Sequence, residues 1–241
     1  MRTLKELVQC YEYACVDLKK SSKCPLVVIK NAKTEMTKKL KIRDTEHLLK
    51  EIERAIAIHG ANVDLNHFDT SSVHDMRFLF EGSNFNGSVD KWDVSNVGSM
   101  YAMFRHATSF NQPLNSWDVS SVTDMTNMFF NAKAFNQPLN MWDTSRVIAM
   151  SYMFCGANKF NQSLENWDVS NVEDMHAMFS GEVGFNNTLL NWSVRNGADT
   201  SCFLNGKSFF ENKRIWESNI LKEKFVIKNE GAGVQRVGSY L

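Results

Sequence analysis

The chain has 241 residues, which is enough for one or two domains with a buried core. Lysine plus arginine and aspartate plus glutamate both number 27, so the formal net charge at pH 7 is zero. This balance argues against nucleic acid as a partner. No apolar run reaches the ~20 residues of a membrane helix, and the N-terminus lacks the apolar core of a secretory signal peptide. We therefore expect no membrane insertion and a cytoplasmic location.

The cysteines and histidines predict neither a disulfide framework nor a metal site. The cysteines form an odd set without C-x-x-C spacing, which is typical of reduced thiols: Cys10, Cys15, Cys24, Cys155 and Cys202. The six histidines fall at unrelated positions, and no P-loop, H-E-x-x-H or G-x-S-x-G motif occurs. We expect no cofactor, no metal and no enzymatic activity.

Residues 1–63 do not repeat and predict an α+β N-terminal cap of helix, strand and helix. An amphipathic pattern begins at Leu4 and ends near Cys15, and the apolar run 26–30 has strand character. A second helix is predicted over 44–60, beginning at Asp44 and ending at Gly60. Its inward residues are expected to be Leu48, Leu49, Ile52 and Ile56.

A repeat of 24 to 25 residues fills residues 64–205, with about six units. The columns that keep this interval include a tryptophan column: Trp92, Trp117, Trp142, Trp167 and Trp192, with Phe68 in the same slot of a degenerate first copy. Phe-Asn pairs and Met-Phe pairs recur in the same register. A period in the twenties predicts stacked units that bury a continuous core.

Each unit contains two sub-patterns. The first is L-x-x-W-x-V, as in Leu114, Trp117 and Val119, and it predicts a short inward-facing strand. The second is V-x-x-M-x-x-M-F, as in residues 122–129, and its steps of three and four predict a short helix. In 170-SNVE-173 the Ser and Glu are expected to form a capping box. The predicted fold is an α/β, leucine-rich-repeat-like right-handed solenoid, with short parallel strands on one side and short helices on the other.

Residues 206–241 are expected to form a C-terminal cap and tail. The stretch carries one more periodic apolar pattern that includes Phe209, Phe210 and Ile215. Such a segment would close the end of the stack, because an open end repeat exposes its core to water.

The repeat resembles that of the BspA-like leucine-rich repeat surface proteins. Residues 117-WDVSSVTDMTNMFFNAKAFNQPL-139 match that family's repeat nearly letter for letter, and the resemblance covers roughly residues 64–205. It implies a bacterial protein that binds other proteins, and it leaves the cell surface or secretion as the alternative location.

Several repeated polar columns are predicted to be structural. The aspartates are expected to accept N–H groups two residues on in Asx turns, with an acidic strip for a cation or basic partner as the alternative: Asp69, Asp93, Asp118, Asp143 and Asp168. The asparagines that follow the first Phe of each unit are expected to form an internal ladder. The tryptophans and methionines are expected in the core, although tryptophan also suits a carbohydrate platform.

The variable positions beside each tryptophan predict the interaction face. They are polar and mixed, which suits recognition: Asn66, His67, Asp90, Lys91, Asn115, Ser116, Asn140, Met141, Glu165, Asn166, Leu190 and Asn191. Met141 and Leu190 are the candidate apolar anchors on that face. The predicted function is a non-catalytic protein-interaction scaffold with a protein partner. The alternatives are a bacterial surface adhesin or carbohydrate binder, or an enzyme with its chemistry in the flanks.

Overall fold

The computed structural model describes residues 39–181, 184–215 and 217. Within it, residues 39–41 and 67–69 form one compact unit, and residues 42–66 with 70 onwards form a second. The predicted first helix, the strand at 26–30, Cys10, Cys15, Cys24 and the tail beyond 217 lie outside the described residues.

The smaller unit contains two short strands. Strand β1, Leu40–Lys41, pairs in parallel with β2, Phe68–Asp69, in the register Leu40 with Phe68. The backbone N–H of Leu40 also donates to the carbonyl of His67 at 2.8 Å. The strand predicted from the L-x-x-W-x-V pattern is therefore observed at β2, in the degenerate first copy. In the later described copies this prediction is wrong: residues such as 114–119 contain turns and no strand, and the bridges between coils lie in the V-x-x-M-x-x-M-F segment.

Helix α1, Thr45–His59, begins and ends where the sequence predicts. The Asp44 carboxylate accepts from the N–H of His47 at 2.8 Å, which satisfies one of the free donors of the first turn. Gly60 ends the helix with φ of 85°, a conformation that glycine adopts without strain. Leu48 and Ile52 are buried as expected, but Leu49 is 38% exposed because it lies on the solvent side of the helix.

The repeats form coils whose backbones bond to one another. In the coil that contains Trp117, N–H groups of alternate residues donate to the next coil: Met125 to Ala149, Asn127 to Ser151, Phe129 to Met153 and Asn131 to Cys155, all at 2.8–2.9 Å. Isolated parallel bridges mark the same contact, from Asp75 to Ser99 and onward at each coil to Asp199. Neighbouring coils thus exchange bonds as parallel strands do, across a spacing of ~4.8 Å.

The segment 122–129 contains turns in place of the helix expected from its periodicity. The N–H of Met128 donates to Met125 in a turn whose third residue, Asn127, has φ of 58°. A residue at positive φ in that place is the mark of a type II turn and interrupts a right-handed helix. The same conformation recurs at each coil: Phe78, Ala102, Asn127, Tyr152, Ala177 and Cys202. The buried Met and Phe are therefore spaced by turns instead of by helical pitch.

The core consists of aromatic rings stacked from coil to coil. The ring centroids of Trp142 and Trp167 lie 6.1 Å apart at an angle of 6°, and those of Phe104 and Phe129 lie 5.6 Å apart at 1°. Each indole N–H of the Trp column is also satisfied by a carbonyl of the preceding coil, as where Trp142 Nε1 donates to Leu114 at 2.9 Å. The methionine pairs are buried among these rings, as predicted. The Trp column is therefore core, and it offers no platform for carbohydrate.

The two S-x-x-E motifs behave differently. At 208-SFFE-211, the Ser208 hydroxyl accepts from the N–H of Glu211 at 3.3 Å, and the Glu211 carboxylate accepts from the N–H of Ser208 at 2.8 Å. This capping box opens a helical segment described at 209–215. The capping box predicted at 170-SNVE-173 does not form. There Ser170 bonds to Asp168, and Glu173 pairs with Arg195 at 2.7 Å.

Candidate functional site

The repeated polar columns hold the coils in shape. The Asp118 carboxylate accepts from the N–H and the hydroxyl of Ser120 at 3.1 and 2.6 Å, and the same Asx turn recurs at Asp93, Asp143 and Asp168. The Asn111 side chain accepts from the N–H of Asn136 at 2.9 Å, one rung of a ladder that runs from Asn86 to Asn186. The turns predicted at Asp93, Asp118, Asp143 and Asp168 and the predicted ladder are confirmed.

The predicted interaction residues are all on the surface. Those half-buried are Asn66, Asp90, Asn115 and Leu190; those exposed are His67, Lys91, Ser116, Asn140, Met141, Glu165, Asn166 and Asn191. Met141 is 71% exposed, more than any other large apolar side chain in the described part of the chain. Leu190, the second predicted anchor, is only half exposed.

The asparagine that opens two of the predicted pairs, Asn66 and Asn115, also has a structural task. The Asn66 side chain accepts from the N–H of Lys91 at 2.9 Å and donates to the Asp90 carboxylate at 2.8 Å. The Asn115 side chain accepts from the N–H of Met141 at 3.0 Å and donates to Asn140 at 3.3 Å. These amides satisfy backbone donors of the next coil, so their variation along the chain reflects packing as well as any recognition.

Four of the predicted residues, Asp90, Asn115, Ser116 and Met141, line one open groove of about 690 Å³. The other lining residues are Pro113, Trp117, Asp118, Val119 and Asp143. We call this the Met141 groove. Trp117 is 3% exposed and Val119 is buried, so together they form an apolar floor. Sequence reasoning found the Met141 rim and favoured a turn role for Asp118 and Asp143, with an acidic strip for a cation or basic partner as the alternative.

The Met141 groove carries three carboxylates and no lysine or arginine in its lining. Within residues 39–181, 184–215 and 217, none of the ion pairs includes Asp90, Asp118 or Asp143. Hydrogen bonding from Ser145, through its hydroxyl and then its N–H, lowers the pKa of Asp143. That carboxylate is therefore charged at neutral pH, and the groove is an acidic surface with an apolar base.

A second exposed surface was missed from the sequence. Along the turn side of the coils lies an edge aromatic stripe: Phe78, Tyr101, Phe130, Tyr152 and His176. Edge-to-face contacts join Phe78 to Tyr101 at a centroid distance of 5.1 Å, Phe130 to Tyr152 at 6.3 Å and Tyr152 to His176 at 5.0 Å. The Arg105 guanidinium lies 5.6 Å from the Phe130 ring. Four of these residues occupy x positions of V-x-x-M-x-x-M-F and Phe130 follows the motif, but a helical arrangement of the segment would not have placed them in one row.

One cluster contains Ser, His and Asp but is not arranged for nucleophilic catalysis. The Ser201 hydroxyl donates to the Asp199 carboxylate at 2.6 Å, and His176 Nδ1 lies 2.6 Å from the same hydroxyl. A carboxylate accepts only, and the hydroxyl has a single proton, so Ser201 presents its lone pair to the imidazole. In a catalytic triad the carboxylate orients the histidine and the histidine takes the serine proton. Here the Ser201 hydroxyl lies between the carboxylate of Asp199 and the imidazole of His176, so the histidine is not placed to take the serine proton.

Two further properties concern the described residues alone. No helix among them is both long and apolar enough to cross a bilayer. Across the same residues, no three His, Cys, Asp or Glu side chains are grouped so as to hold a metal ion. Cys155 and Cys202 are free, and burial raises the pKa of the Cys155 thiol.

Comparison with known proteins adds one match. A single family model matches residues 49–154 and again residues 138–230, which together span most of the chain. The chain belongs to the family described as Mycoplasma protein of unknown function, DUF285. DUF285 is in general a family of BspA-like repeats, so the resemblance is confirmed at that level, as is its bacterial character. No curated protein and no solved structure matches this DUF285 chain significantly.

Proposed function

We propose that this chain is a non-catalytic protein-interaction scaffold, a leucine-rich-repeat-like solenoid of the 25-residue BspA type. Support for the architecture comes from backbone bonds and aromatic stacks that link residues one coil apart, as in Met125 with Ala149 and Trp142 with Trp167. Such quasi-one-dimensional stacks present extended binding surfaces.

The observation that carries the function is the Met141 groove. A large apolar side chain that is 71% exposed costs solubility unless something covers it, and it stands beside an apolar floor and three charged side chains. Interfaces combine an apolar anchor of this kind with a polar rim. Trp117 in the floor stacks on Trp92 and donates its indole N–H to the carbonyl of Val89, and Asp118 is fixed by its Asx turn. The surface is therefore preorganised for a partner.

Affinity capture from the native host tests this function, with the full chain compared in three forms. Met141→Arg places a bulky cation in the groove and is expected to abolish capture of the bound protein. The matched control is Ile58→Arg, because Ile58 is 63% exposed on α1 and lies outside the groove. Equal capture by wild type, Met141→Arg and Ile58→Arg would contradict the proposal.

A second candidate, binding of a cell-surface carbohydrate, is favoured by the edge aromatic stripe. Exposed Phe78 and Tyr152 offer ring surface of the kind that stacks on sugars, whereas the tryptophans of the repeat column are buried. A glycan array probed with the wild type and with Tyr152→Ala measures this. Binding lost in Tyr152→Ala but kept in Met141→Arg would favour the carbohydrate function over the scaffold.

A further inference from the structure

Resting on the scaffold function, we propose that the Met141 groove receives an arginine or lysine side chain from an extended segment of a partner protein. The groove is lined by apolar carbon on its floor and by carboxylates around it. That combination matches a long cationic side chain, whose methylene stem packs on apolar surface while its charged head reaches polar groups.

The apolar part of the groove fits the stem. Trp117 and Val119 form the floor, Pro113 stands at one side, and the flexible thioether of Met141 at the rim adapts to the shape of what it contacts. The volume of about 690 Å³ exceeds what one ion needs and accommodates a long side chain together with its flanking backbone. A bare metal ion fits poorly, since the described residues offer no group of three ligands for one.

The carboxylates fit the charged head. Asp118 and Asp143 each accept the N–H of their Asx turn through Oδ1, and within the described residues neither forms an ion pair. They occupy the same slot of adjacent coils, whose backbones run in parallel, so their charges repel unless a cation lies between them. A guanidinium offers several donors in one plane and can reach two carboxylates at once.

The Asx turn alone does not account for these charges. An amide oxygen accepts the same N–H bond, so asparagine would make the turn without placing charges in a column. Ser193 takes this slot in the coil of Trp192, which shows that the slot accepts a neutral residue. Lys91, an exposed cation among the predicted interaction residues, lies outside the groove lining and donates its backbone N–H to Asn66.

A direct test uses the full chain labelled with ¹³C at the methionine methyls. Three blocked hexapeptides serve as probes, Ser-Val-X-Val-Ser-Gly with X as arginine, glutamine or glutamate. The arginine peptide is expected to shift the Met141 methyl signal and to bind at least five-fold more tightly than the glutamine peptide. Buried methionines such as Met125 serve as internal references. Equal shifts from the arginine and glutamine peptides, or none from either, would overturn the proposal.

Charge-neutral variants separate the groove from the rest of the aspartate column. Asp118→Asn with Asp143→Asn keeps both turns and is expected to raise Kd for the arginine peptide at least ten-fold. The matched control is Asp168→Asn, because Asp168 makes the same turn to Ser170 at 2.9 Å but does not line the groove. It is expected to change Kd less than two-fold. Equal losses of affinity in the double variant and in Asp168→Asn would mean that the peptide responds to the overall negative charge of the column and not to the groove, and would contradict the proposal.

The same variants distinguish failure of this proposal from failure of the scaffold function. If Met141→Arg abolishes capture of the host partner but the double asparagine variant captures it normally, the groove binds a partner without a cation. If Met141→Arg captures the partner as the wild type does, the scaffold function itself fails. Unchanged tryptophan emission in each variant confirms that the coils remain folded.

Discussion

Helix α1 and the segment 122–129 share a helical spacing of apolar residues, yet one is a helix and the other a series of turns. In α1 the chain bonds to itself, with Asp44 at its start and Gly60 at its end. In 122–129, alternate N–H groups bond to the next coil, as Met125 does to Ala149. The contrast teaches that apolar periodicity reports which residues face the core, while the partner of each N–H decides the backbone conformation.

The two S-x-x-E motifs repeat this lesson. Ser208 and Glu211 cap a helix, whereas Ser170 and Glu173 are engaged by Asp168 and Arg195. The cap is displaced at 170–173 because Asp168 of the same coil engages Ser170 and Arg195 of the next coil pairs with Glu173.

The largest expected loss of stability comes from removing a buried side chain whose contacts are with neighbouring coils. Trp142→Ala takes away a buried indole that stacks on Trp167 and bonds to Leu114, and we expect a loss of about 3–5 kcal/mol in the free energy of unfolding. Leu49→Ala in α1, which is 38% exposed there, should cost less than about 1 kcal/mol. Urea denaturation measures both, and similar losses would contradict the contrast between the two regions.

The second largest effect on stability is expected at a close backbone contact between Val63, which follows α1, and Gly87. A Cβ at Gly87 would lie 1.8 Å from the carbonyl oxygen of Val63, so Gly87→Ala must displace one of the two backbones. We expect a loss of about 1–3 kcal/mol or more. Gln112 fills the equivalent slot one coil on, where Gln112→Ala loses one hydrogen bond to Asn86, about 1 kcal/mol. Thermal melts compare them, and a benign Gly87→Ala would be inconsistent with this packing.

Substitution by glycine should change the free energy of unfolding in opposite directions in α1 and in the segment 122–129. Ala57→Gly in the exposed face of α1 should cost about 1 kcal/mol, since glycine is a poor helix former. Asn127→Gly should stabilise by up to about 1 kcal/mol, because Asn127 has φ of 58° and glycine adopts that conformation freely. Chemical denaturation gives both values. Destabilisation by Asn127→Gly of the size seen in α1 would instead support a helix at 122–129.

The smallest effect is a pH dependence at one Asx turn. The hydrogen bonds from Ser145 lower the pKa of Asp143, so the folded state binds its proton less readily than the unfolded state. The resulting stabilisation is present above the ordinary aspartate value of ~3.9 and is lost as pH falls through the lowered pKa. Carbon NMR of the Asp143 carboxyl should give a midpoint below ~3.9. In Ser145→Ala the midpoint should rise, and an unchanged midpoint would contradict the stated cause.

The repeat period, the buried columns, the Asx turns and the ends of α1 could all be predicted because each depends on residues close in sequence or on an identity repeated every 25 residues. The helices predicted in the repeats rested on apolar spacing alone, and that prediction was wrong. The residues that interrupt a helix by their positive φ, such as Ala102, Asn127 and Tyr152, differ in type, so no side-chain signal marks them in the sequence. Likewise the exposed position of Leu49 depends on what packs against α1 and not on its periodicity.

The sequence by itself determined which side chains are buried and which turns recur, because burial and local hydrogen bonding follow from residue type and spacing. Only the tertiary structure decided that the coils bond to each other in place of forming helices. It also decided that Asp90, Ser116, Asp118, Met141 and Asp143 meet in one groove. Residues from three successive coils become neighbours there only after the backbone N–H groups of each coil have found their acceptors on the next.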